Sequence, residues 1–257
     1  MSTATADAVS FSNIQRPSLL LLGTEPWRAA AEFLSHKFSC GPAAREGDGH
    51  PVVVFPGLAS GSRAVAPLIQ HCESLGYTAF DWGRGLNRGP QGDVNAWLGQ
   101  LADDTAQQLA SQDGSATLIG WSLGGLYARE VAKLLGRRRV RQVITIGTPF
   151  NADSDYTNVG WCYRLLSGAS PKISASLAKR LREAPQVPTT SIYSRSDGIV
   201  AWQTCRHASG RSAQVEDVEV SGSHTGMGWN PSVLRIIANR LAQRPGQWRP
   251  YAQAVAH

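Results

Sequence analysis

A serine set among glycines carries the clearest chemical signal in this sequence. Residues 120–125 read GWSLGG, a G-x-S-x-G pattern with a further glycine directly after it. A predicted strand precedes this segment and a predicted helix follows it. In that setting the glycines leave room for a sharp turn that exposes a serine hydroxyl at a helix N-terminus. We therefore predict that Ser122 is a nucleophile, with a glycine-rich structural turn as the alternative.

A nucleophilic serine needs a histidine that takes its proton and a carboxylate that orients the histidine. His224 lies in the small-residue loop SGSHTG, at residues 221–226, after a predicted strand. His207 lies in a basic stretch before that strand, where we expect it to face solvent. Because a parallel sheet presents functional groups where its strands end, His224 is predicted as the base and His207 is the weaker alternative.

The carboxylate is predicted by the same argument. Asp197 lies in SRSDGIV, at residues 194–200, at the C-terminal end of a predicted strand. Asp153 and Asp155 follow the preceding strand, but they begin an insertion and are typical of turn or helix-cap residues. Asp197 is therefore predicted to orient the histidine, and the other two remain alternatives.

An acyl-transfer site also needs backbone N–H groups that stabilise an oxyanion. The loop FPGLASG, at residues 55–61, is rich enough in glycine for its backbone to approach a substrate carbonyl. Pro56 has no N–H to donate. The amides of Leu58 and of Leu123, the residue after the serine, are the predicted donors.

The elements that must position these residues alternate from residue 51 onwards. Apolar runs typical of strands are Val52–Phe55, Thr78–Asp81, Thr117–Ile119, Val140–Ile146, Thr189–Tyr193 and Val215–Val220. Helical patterns between and after them are Val65–Leu75, Val94–Leu109, Leu123–Leu135 and Pro231–Ala242. This alternation predicts one α/β domain over residues 51–257, with a mostly parallel sheet of about six strands and helices on both faces.

Residues 1–50 are predicted to be a leader and a helix. Residues 1–23 are typical of a loose leader. A helix is expected over Glu25–Phe38, opened by Thr24 and Pro26. Its apolar face, spaced as in a helix, comprises Trp27, Ala30, Ala31, Leu34 and Phe38.

A long interval at residues 151–188 interrupts the alternation. It separates two strands by more than a usual crossover loop and holds two candidate amphipathic helices, Gly160–Leu166 and Ile173–Arg182. We predict a helical lid that moves to admit substrate.

Four of the eight tryptophans lie close in sequence to these predicted elements. Trp121 precedes the serine, Trp202 and Trp229 follow the predicted acid and base by five residues each, and Trp161 lies in the insertion. They predict an aromatic-lined pocket for an apolar substrate, with core and lid packing as the alternative.

Composition excludes several classes of protein. Hydrophobic residues make up 42% and charged residues 17% of the chain, which argues against disorder, and no apolar run is long enough to span a membrane. The net charge of +6 is densest at residues 137–141, after a predicted helix, so a helix C-terminus is favoured over nucleic-acid binding.

The cysteines and the N-terminus indicate the compartment. Cys40, Cys72, Cys162 and Cys205 are widely spaced and lack the spacing of a metal site, although two disulfides stay possible. No secretory signal is visible at the N-terminus, so a cytoplasmic, reduced chain is expected. We expect no metal and no cofactor.

Four motifs together resemble α/β-hydrolases of the lipase/esterase type: GWSLGG, SRSDGIV, ITIGTPF (residues 144–150) and GSHTGMG (residues 222–228). The resemblance extends over about residues 51–243. It implies Ser122 as nucleophile, Asp197 and His224 as its partners, and oxyanion amides at Leu58 and Leu123. The chain departs from the pattern at residues 56–57, where many relatives carry His-Gly, and it lacks two N-terminal strands of larger relatives.

The expected activity is hydrolysis of a small-molecule carboxylic ester with an apolar acyl or aromatic group, through a covalent acyl-enzyme. A thioesterase or an acyltransferase would use the same three residues. Epoxide and haloalkane hydrolases are disfavoured because they carry a carboxylate at the position of Ser122. A catalytically silent binding module is the alternative outside the enzymes. The sequence does not indicate an oligomeric state.

Overall fold

One parallel sheet organises the protein. The computed structural model describes residue 14 and residues 17–39, 47–151, 174–208 and 214–251. The strands are β1 (Pro51–Phe55), β2 (Thr78–Asp81), β3 (Ala116–Trp121), β4 (Val140–Ile146), β5 (Thr189–Tyr193) and β6 (Val215–Glu219). Within the described residues these six strands are ordered β2-β1-β3-β4-β5-β6, and every neighbouring pair is parallel. The predicted α/β fold is confirmed.

Helices follow the strands as the alternating pattern predicts. They are α1 (Leu19–Ser39), α2 (Ser62–Ser74), α3 (Val94–Gln108), α4 (Leu123–Leu135), α5 (Ala175–Arg182) and α6 (Pro231–Leu241), with short 3-10 turns at Trp202–Cys205 and Gly226–Gly228. The bounds of β2, β4, β5 and α4 are those predicted from the sequence. Strand β3 is three residues longer than its predicted apolar run, because backbone hydrogen bonds can extend a strand where the side-chain pattern gives no signal.

Both faces of the sheet are buried. Val52 and Val54 of β1 pack on one side with residues of α2 and α6, whereas Val53 and Phe55 pack on the other with residues of α3 and α4. Side chains alternate between the two faces of a strand, so a run of four apolar residues supplies both cores. The two cores fix the sheet and therefore the loops at its carboxyl edge.

Helix α1 differs from its prediction at its start. It begins at Leu19, so residues 19–23 are helical and not part of a loose leader. Ser18 explains the earlier start, because its hydroxyl accepts the N–H of Leu21 at 3.2 Å and satisfies a donor of the first turn. Pro26, predicted at the opening, lies inside the helix.

Helix α1 does not bury the apolar face that the sequence shows. Trp27 is 78% exposed and Leu34 55% exposed, whereas Glu25 and Ala29 are buried. The reason is that backbone N–H groups of two loops face the helix, and carboxylates can accept from them where apolar side chains cannot.

The described part of the long insertion is fixed to α4. Arg180 of α5 contacts Glu130 at 2.6 Å, and Lys133 donates to the carbonyl oxygen of Arg180 and to Glu130. The helix at Ala175–Arg182 is confirmed, whereas the candidate helix at Gly160–Leu166 lies outside the described residues. That the insertion forms a moving lid stays a prediction, as do the domain bounds at residue 50 and residue 188.

Two further findings concern the cysteines and membranes. Cys72 and Cys205 are buried free thiols, and the other two cysteines lie outside the described residues. None of the helices within the described ranges combines the length and the apolar character that a bilayer crossing requires.

Close approach of the backbone at the start of α4 is the tightest packing constraint near the carboxyl edge. A β-carbon on Gly124 would overlap the carbonyl oxygen of Phe55 and lie 2.6 Å from that of Pro56, both at the end of β1. One on Gly125 would overlap the side chain of Thr148, after β4. Only glycine lets α4 begin between these two strand ends.

We predict that Gly124→Ala lowers the free energy of unfolding by about 3 kcal/mol, because the methyl group meets rigid backbone and not a movable side chain. Urea denaturation measures the effect. Gly99→Ala is the matched control, since Gly99 of α3 has no atom within 4 Å of an added β-carbon and alanine favours helix. Equal stability of the two variants would contradict the packing argument.

Candidate active site

Ser122 occupies the turn between β3 and α4 in a strained conformation. Its φ of 54° and ψ of −123° lie in a region of backbone conformation that residues other than glycine rarely adopt. The strand ends hold it there: the Ser122 N–H donates to the Ile146 carbonyl at 2.8 Å, and Thr148 donates to the Ser122 carbonyl at 2.9 Å. The result is a serine at the N-terminus of a buried helix, as the GWSLGG pattern predicts.

The structure brings three predicted residues into one hydrogen-bonded row. His224 Nε2 lies 3.0 Å from Ser122 Oγ, and His224 Nδ1 lies 2.6 Å from Asp197 Oδ2. Asp197 follows β5 and His224 follows β6, so the row crosses the carboxyl ends of three strands. Its geometry is that of a nucleophile, a base and an orienting acid.

Backbone N–H groups bind the carboxylate oxygen of Asp197 that does not contact the histidine. Its Oδ1 accepts the N–H groups of Ile199 at 2.8 Å and Val200 at 2.7 Å. These bonds leave Oδ2 directed at the histidine, and the carboxyl group is buried. A buried acceptor at Nδ1 favours the tautomer in which Nε2 can accept a proton from the serine hydroxyl.

The electrostatics at His224 favour a basic imidazole. Burial lowers the pKa of His224, but the charge of Asp197 and its hydrogen bond raise it, with a further contribution from the charge of Glu25. The pKa of His224 therefore lies above its ordinary value of 6.5. The buried carboxylates thus stabilise the imidazolium that forms when the histidine takes a proton.

The predicted oxyanion donors lie beside the serine. A β-carbon on Gly57 would lie 3.3 Å from Ser122 Cβ, so the loop after β1 passes directly against the serine. Within the part of the chain that the structure describes, the amides of Leu58 and Leu123 donate to no protein acceptor. Two such amides are what an oxyanion requires, and their role stays a prediction.

Asn87 holds this loop and was not predicted. It is fully buried, its side-chain Nδ2 donates to the Pro56 carbonyl at 2.8 Å, and its backbone carbonyl accepts the Ala59 N–H at 2.8 Å. The bond to Pro56 leaves the loop fixed although the His-Gly pair of many relatives is missing. No sequence signal distinguishes Asn87 from an ordinary turn residue, because its partners come from a loop 31 residues away.

Acidic residues of α1 reach the same edge of the sheet. Glu25 accepts backbone N–H groups on both sides of the row, from Gly198 at 2.8 Å and from His224 at 2.9 Å. Glu32, two turns further along, accepts the Ser223 N–H at 2.7 Å. Neither was predicted, since a carboxylate on a helix is usually a solvated residue.

The tryptophans predicted to line a pocket occupy different places. Trp121 is 7% exposed, and its indole N–H donates to the His224 carbonyl at 3.2 Å. Trp229 packs against it edge to face at 6.1 Å and donates to the Ala29 carbonyl. Trp202 stacks on Tyr193. Trp161 lies outside the described residues, and a pocket lined by these residues stays a prediction.

The alternative base and acids are not part of the row. His207 is 5% exposed, so the expectation that it faces solvent is wrong. It is buried because its Nδ1 lies 2.6 Å from Asp217 and its Nε2 lies 2.8 Å from Arg129. Both ring nitrogens are therefore occupied. Asp153 and Asp155 lie outside the described residues.

Solved structures share this fold. Lipase B of Aspergillus fumigatus is 19% identical with a TM-score of 0.61 over 79% of this chain and 55% of that one. Naproxen esterase of Bacillus subtilis is 14% identical with a TM-score of 0.54 over 84% of this chain and 98% of that one. A monoacylglycerol lipase of Paleococcus ferrophilus is 17% identical with a TM-score of 0.53 over 74% and 93%. At these identities the likeness concerns the fold, and this chain spans 55% of the length of lipase B.

Sequence comparison identifies the family. No curated protein matches the chain. The model of the alpha/beta hydrolase family matches residues 52–255, which include the six described strands except the first residue of β1. The chain therefore belongs to the alpha/beta hydrolase family.

Proposed function

We propose that this protein is a serine hydrolase of carboxylic esters that acts through a covalent acyl-enzyme. One observation carries the proposal: Ser122 Oγ, held in a strained turn, lies 3.0 Å from His224 Nε2, whose Nδ1 lies 2.6 Å from buried Asp197. A structural turn needs glycines but no histidine and acid in series with its serine. The row is therefore better explained by proton transfer than by folding.

The proposed reaction assigns a role to each residue of the site. His224 Nε2 takes the hydroxyl proton while Ser122 Oγ attacks the acyl carbon, and the carbonyl π electrons move to the oxygen. The amides of Leu58 and Leu123 donate to that oxyanion. When the tetrahedral adduct collapses, its C–O bond to the alcohol breaks, and His224 gives the alcohol its proton. Water then attacks the acyl-enzyme while His224 takes its proton. When this second adduct collapses, the C–O bond to Ser122 Oγ breaks, Oγ recovers the proton from His224, and the acid is released.

The substrate is proposed to be an ester with an apolar acyl or aromatic group. Leu58 lies on the loop that passes the serine, and its apolar side chain is only partly buried. An apolar acyl group that covers this side chain removes apolar surface from water, which lowers the free energy of the complex. Three structural relatives named lipase or esterase are consistent with this class.

Alternative acyl-transfer reactions differ in the donor or the acceptor and use the same three residues. A thioesterase would prefer acyl thioesters over oxygen esters of the same acid. An acyltransferase would form the ester of an added alcohol in place of free acid. Comparing these donors, and analysing the product in aqueous alcohol, separates the three.

We predict that Ser122→Ala lowers kcat/KM on p-nitrophenyl esters by roughly 10⁴-fold or more, because the nucleophile is lost while the binding surface remains. Initial rates at matched enzyme concentration measure the effect. Ser74→Ala, at an exposed serine of α2, is the control and should retain the wild-type rate. A wild-type rate in Ser122→Ala would overturn the proposal, and a wild-type chain inactive on oxygen esters and thioesters would favour a binding module.

We predict that esters of longer acyl chains are turned over faster than the acetate, because each methylene that enters an apolar site contributes about 0.8 kcal/mol. The measurement is kcat/KM for p-nitrophenyl esters from acetate to palmitate. A rate that is highest on acetate and falls with each added carbon would contradict the proposed substrate class without affecting the proposed chemistry.

We predict that kcat/KM falls on the acid side with a midpoint above pH 6.5, because the raised pKa of His224 keeps it protonated, and unable to act as a base, up to that point. Asp197→Asn removes the largest contribution that raises this pKa. The midpoint should therefore move to lower pH. We expect kcat to fall by roughly 10⁴-fold, because an amide NH2 facing Nδ1 favours the tautomer in which Nε2 carries the proton and cannot accept one.

A pH–rate profile for each variant measures both effects. Asp103→Asn, at an exposed aspartate of α3, is the matched control and should leave the midpoint and the rate unchanged. An acid-side midpoint that stays in place in Asp197→Asn, with the rate retained, would contradict the assignment of Asp197.

A further inference from the structure

Glu25 of α1 is a buried carboxylate that joins two loops of the candidate site. It is 3% exposed. Its Oε1 accepts the N–H of Gly198, the residue after Asp197, at 2.8 Å and the N–H of His224 at 2.9 Å. Its Oε2 accepts the N–H of Thr225 at 3.1 Å. One side chain thus bonds to the backbone beside the acid and to the backbone of the base.

Packing does not account for this position. Burial of a carboxylate costs free energy unless hydrogen bonds or an opposite charge offset it. Here three backbone donors do so, together with Arg28, whose Nη1 lies 3.7 Å from Oε1. The helix meanwhile leaves Trp27 78% exposed. If α1 served only to cover the rest of the protein, a rotation of the helix that turned its apolar face toward the protein would bury more apolar surface.

We infer that Glu25 is a positioning residue that fixes the loop of Asp197 to the loop of His224, so that α1 is a working part of the candidate active site. The inference rests on the proposed function, in which these two side chains act together. These loops follow β5 and β6, and their residues Asp197 and His224 are 27 residues apart in the sequence. The 2.6 Å bond between their side chains depends on the spacing of their backbones, and Oε1 of Glu25 spans that spacing directly.

The charge of Glu25 acts on the same histidine. The charged and titratable groups around Glu25 are Asp197 from the loop after β5, His224 from the loop after β6, and Arg28 and Glu32 from α1. Asp197 and Glu25 both raise the pKa of His224. Loss of the Glu25 charge therefore lowers that pKa, an effect that a purely structural contact would not have.

Glu32 provides a matched comparison on the same helix. It accepts the N–H of Ser223 at 2.7 Å and the side-chain amide of Asn230 at 3.1 Å. It makes no hydrogen bond to His224 or to the loop of Asp197 among those of the described residues. Glu32→Gln therefore disturbs the same helix and the same loop without cutting the link between acid and base.

The test compares Glu25→Gln and Glu32→Gln in the full chain. The readouts are kcat and KM on a p-nitrophenyl ester, and the rate of inactivation by a fluorophosphonate as a function of pH. Glu25→Gln should lower kcat roughly tenfold or more with KM within about twofold, because misplaced catalytic groups slow the chemical step and not binding. Its acid-side midpoint should lie below that of the wild type. Glu32→Gln should lower kcat less and keep the wild-type midpoint.

Several outcomes would overturn the inference. Wild-type kcat and midpoint in Glu25→Gln would do so, and so would equal losses in the two variants with no change of midpoint. If Glu25→Gln failed to fold, Gly198→Ala decides: its β-carbon would lie 2.5 Å from the Leu21 carbonyl oxygen and force α1 away from the acid loop. A reduced kcat then supports the inference, and a wild-type kcat overturns it. The proposed function fails separately, if Ser122→Ala reacts with the fluorophosphonate like the wild type.

Discussion

The backbone of Ser122 is held at a φ of 54° because α4 begins in contact with the ends of β1 and β4. That contact is possible only with glycine at positions 124 and 125, because a β-carbon added there would overlap Phe55 and Thr148, respectively. The strain is supported by two cores that bury both faces of the sheet. The same close approach brings the loop after β1 against Ser122. The positions of Ser122 and of the proposed oxyanion amides are therefore set by one packing arrangement, and β5 and β6 bring Asp197 and His224 to the same edge of the sheet.

That delivery depends on backbone hydrogen bonds more than on side-chain packing. Asp197 is oriented by two N–H groups of its own loop. The backbone of His224 is held at its carbonyl by the indole N–H of Trp121 and at its N–H by the carboxylate of Glu25. The buried negative charges of Asp197 and Glu25 have a common effect: they favour the imidazolium over the neutral ring. A site with two carboxylates near one histidine is suited to a reaction that generates positive charge there, as proton transfer from a serine does.

Much of this arrangement could be predicted from local sequence, because strands that alternate with helices determine where their ends meet. Ser122, Asp197 and His224 follow three different strands, and a parallel sheet brings such positions to one edge. The orientation of α1 could not be predicted. Its apolar stripe favours burial through Trp27 and Leu34, but its acidic face finds donors on loops about 170 to 200 residues away in the chain. Asn87 was missed, and the burial of His207 was not predicted, for the same reason: their partners Pro56 and Arg129 are distant in sequence.

In the proposed mechanism Ser122 forms a covalent adduct with an acyl substrate. This adduct can be detected by reaction of the folded chain with a fluorophosphonate, followed by peptide mass spectrometry. We expect one adduct per chain, on the peptide that carries Ser122, and none after unfolding in urea, since the unfolded serine has no base beside it. An adduct on another residue, or no adduct on a folded chain, would contradict this mechanism.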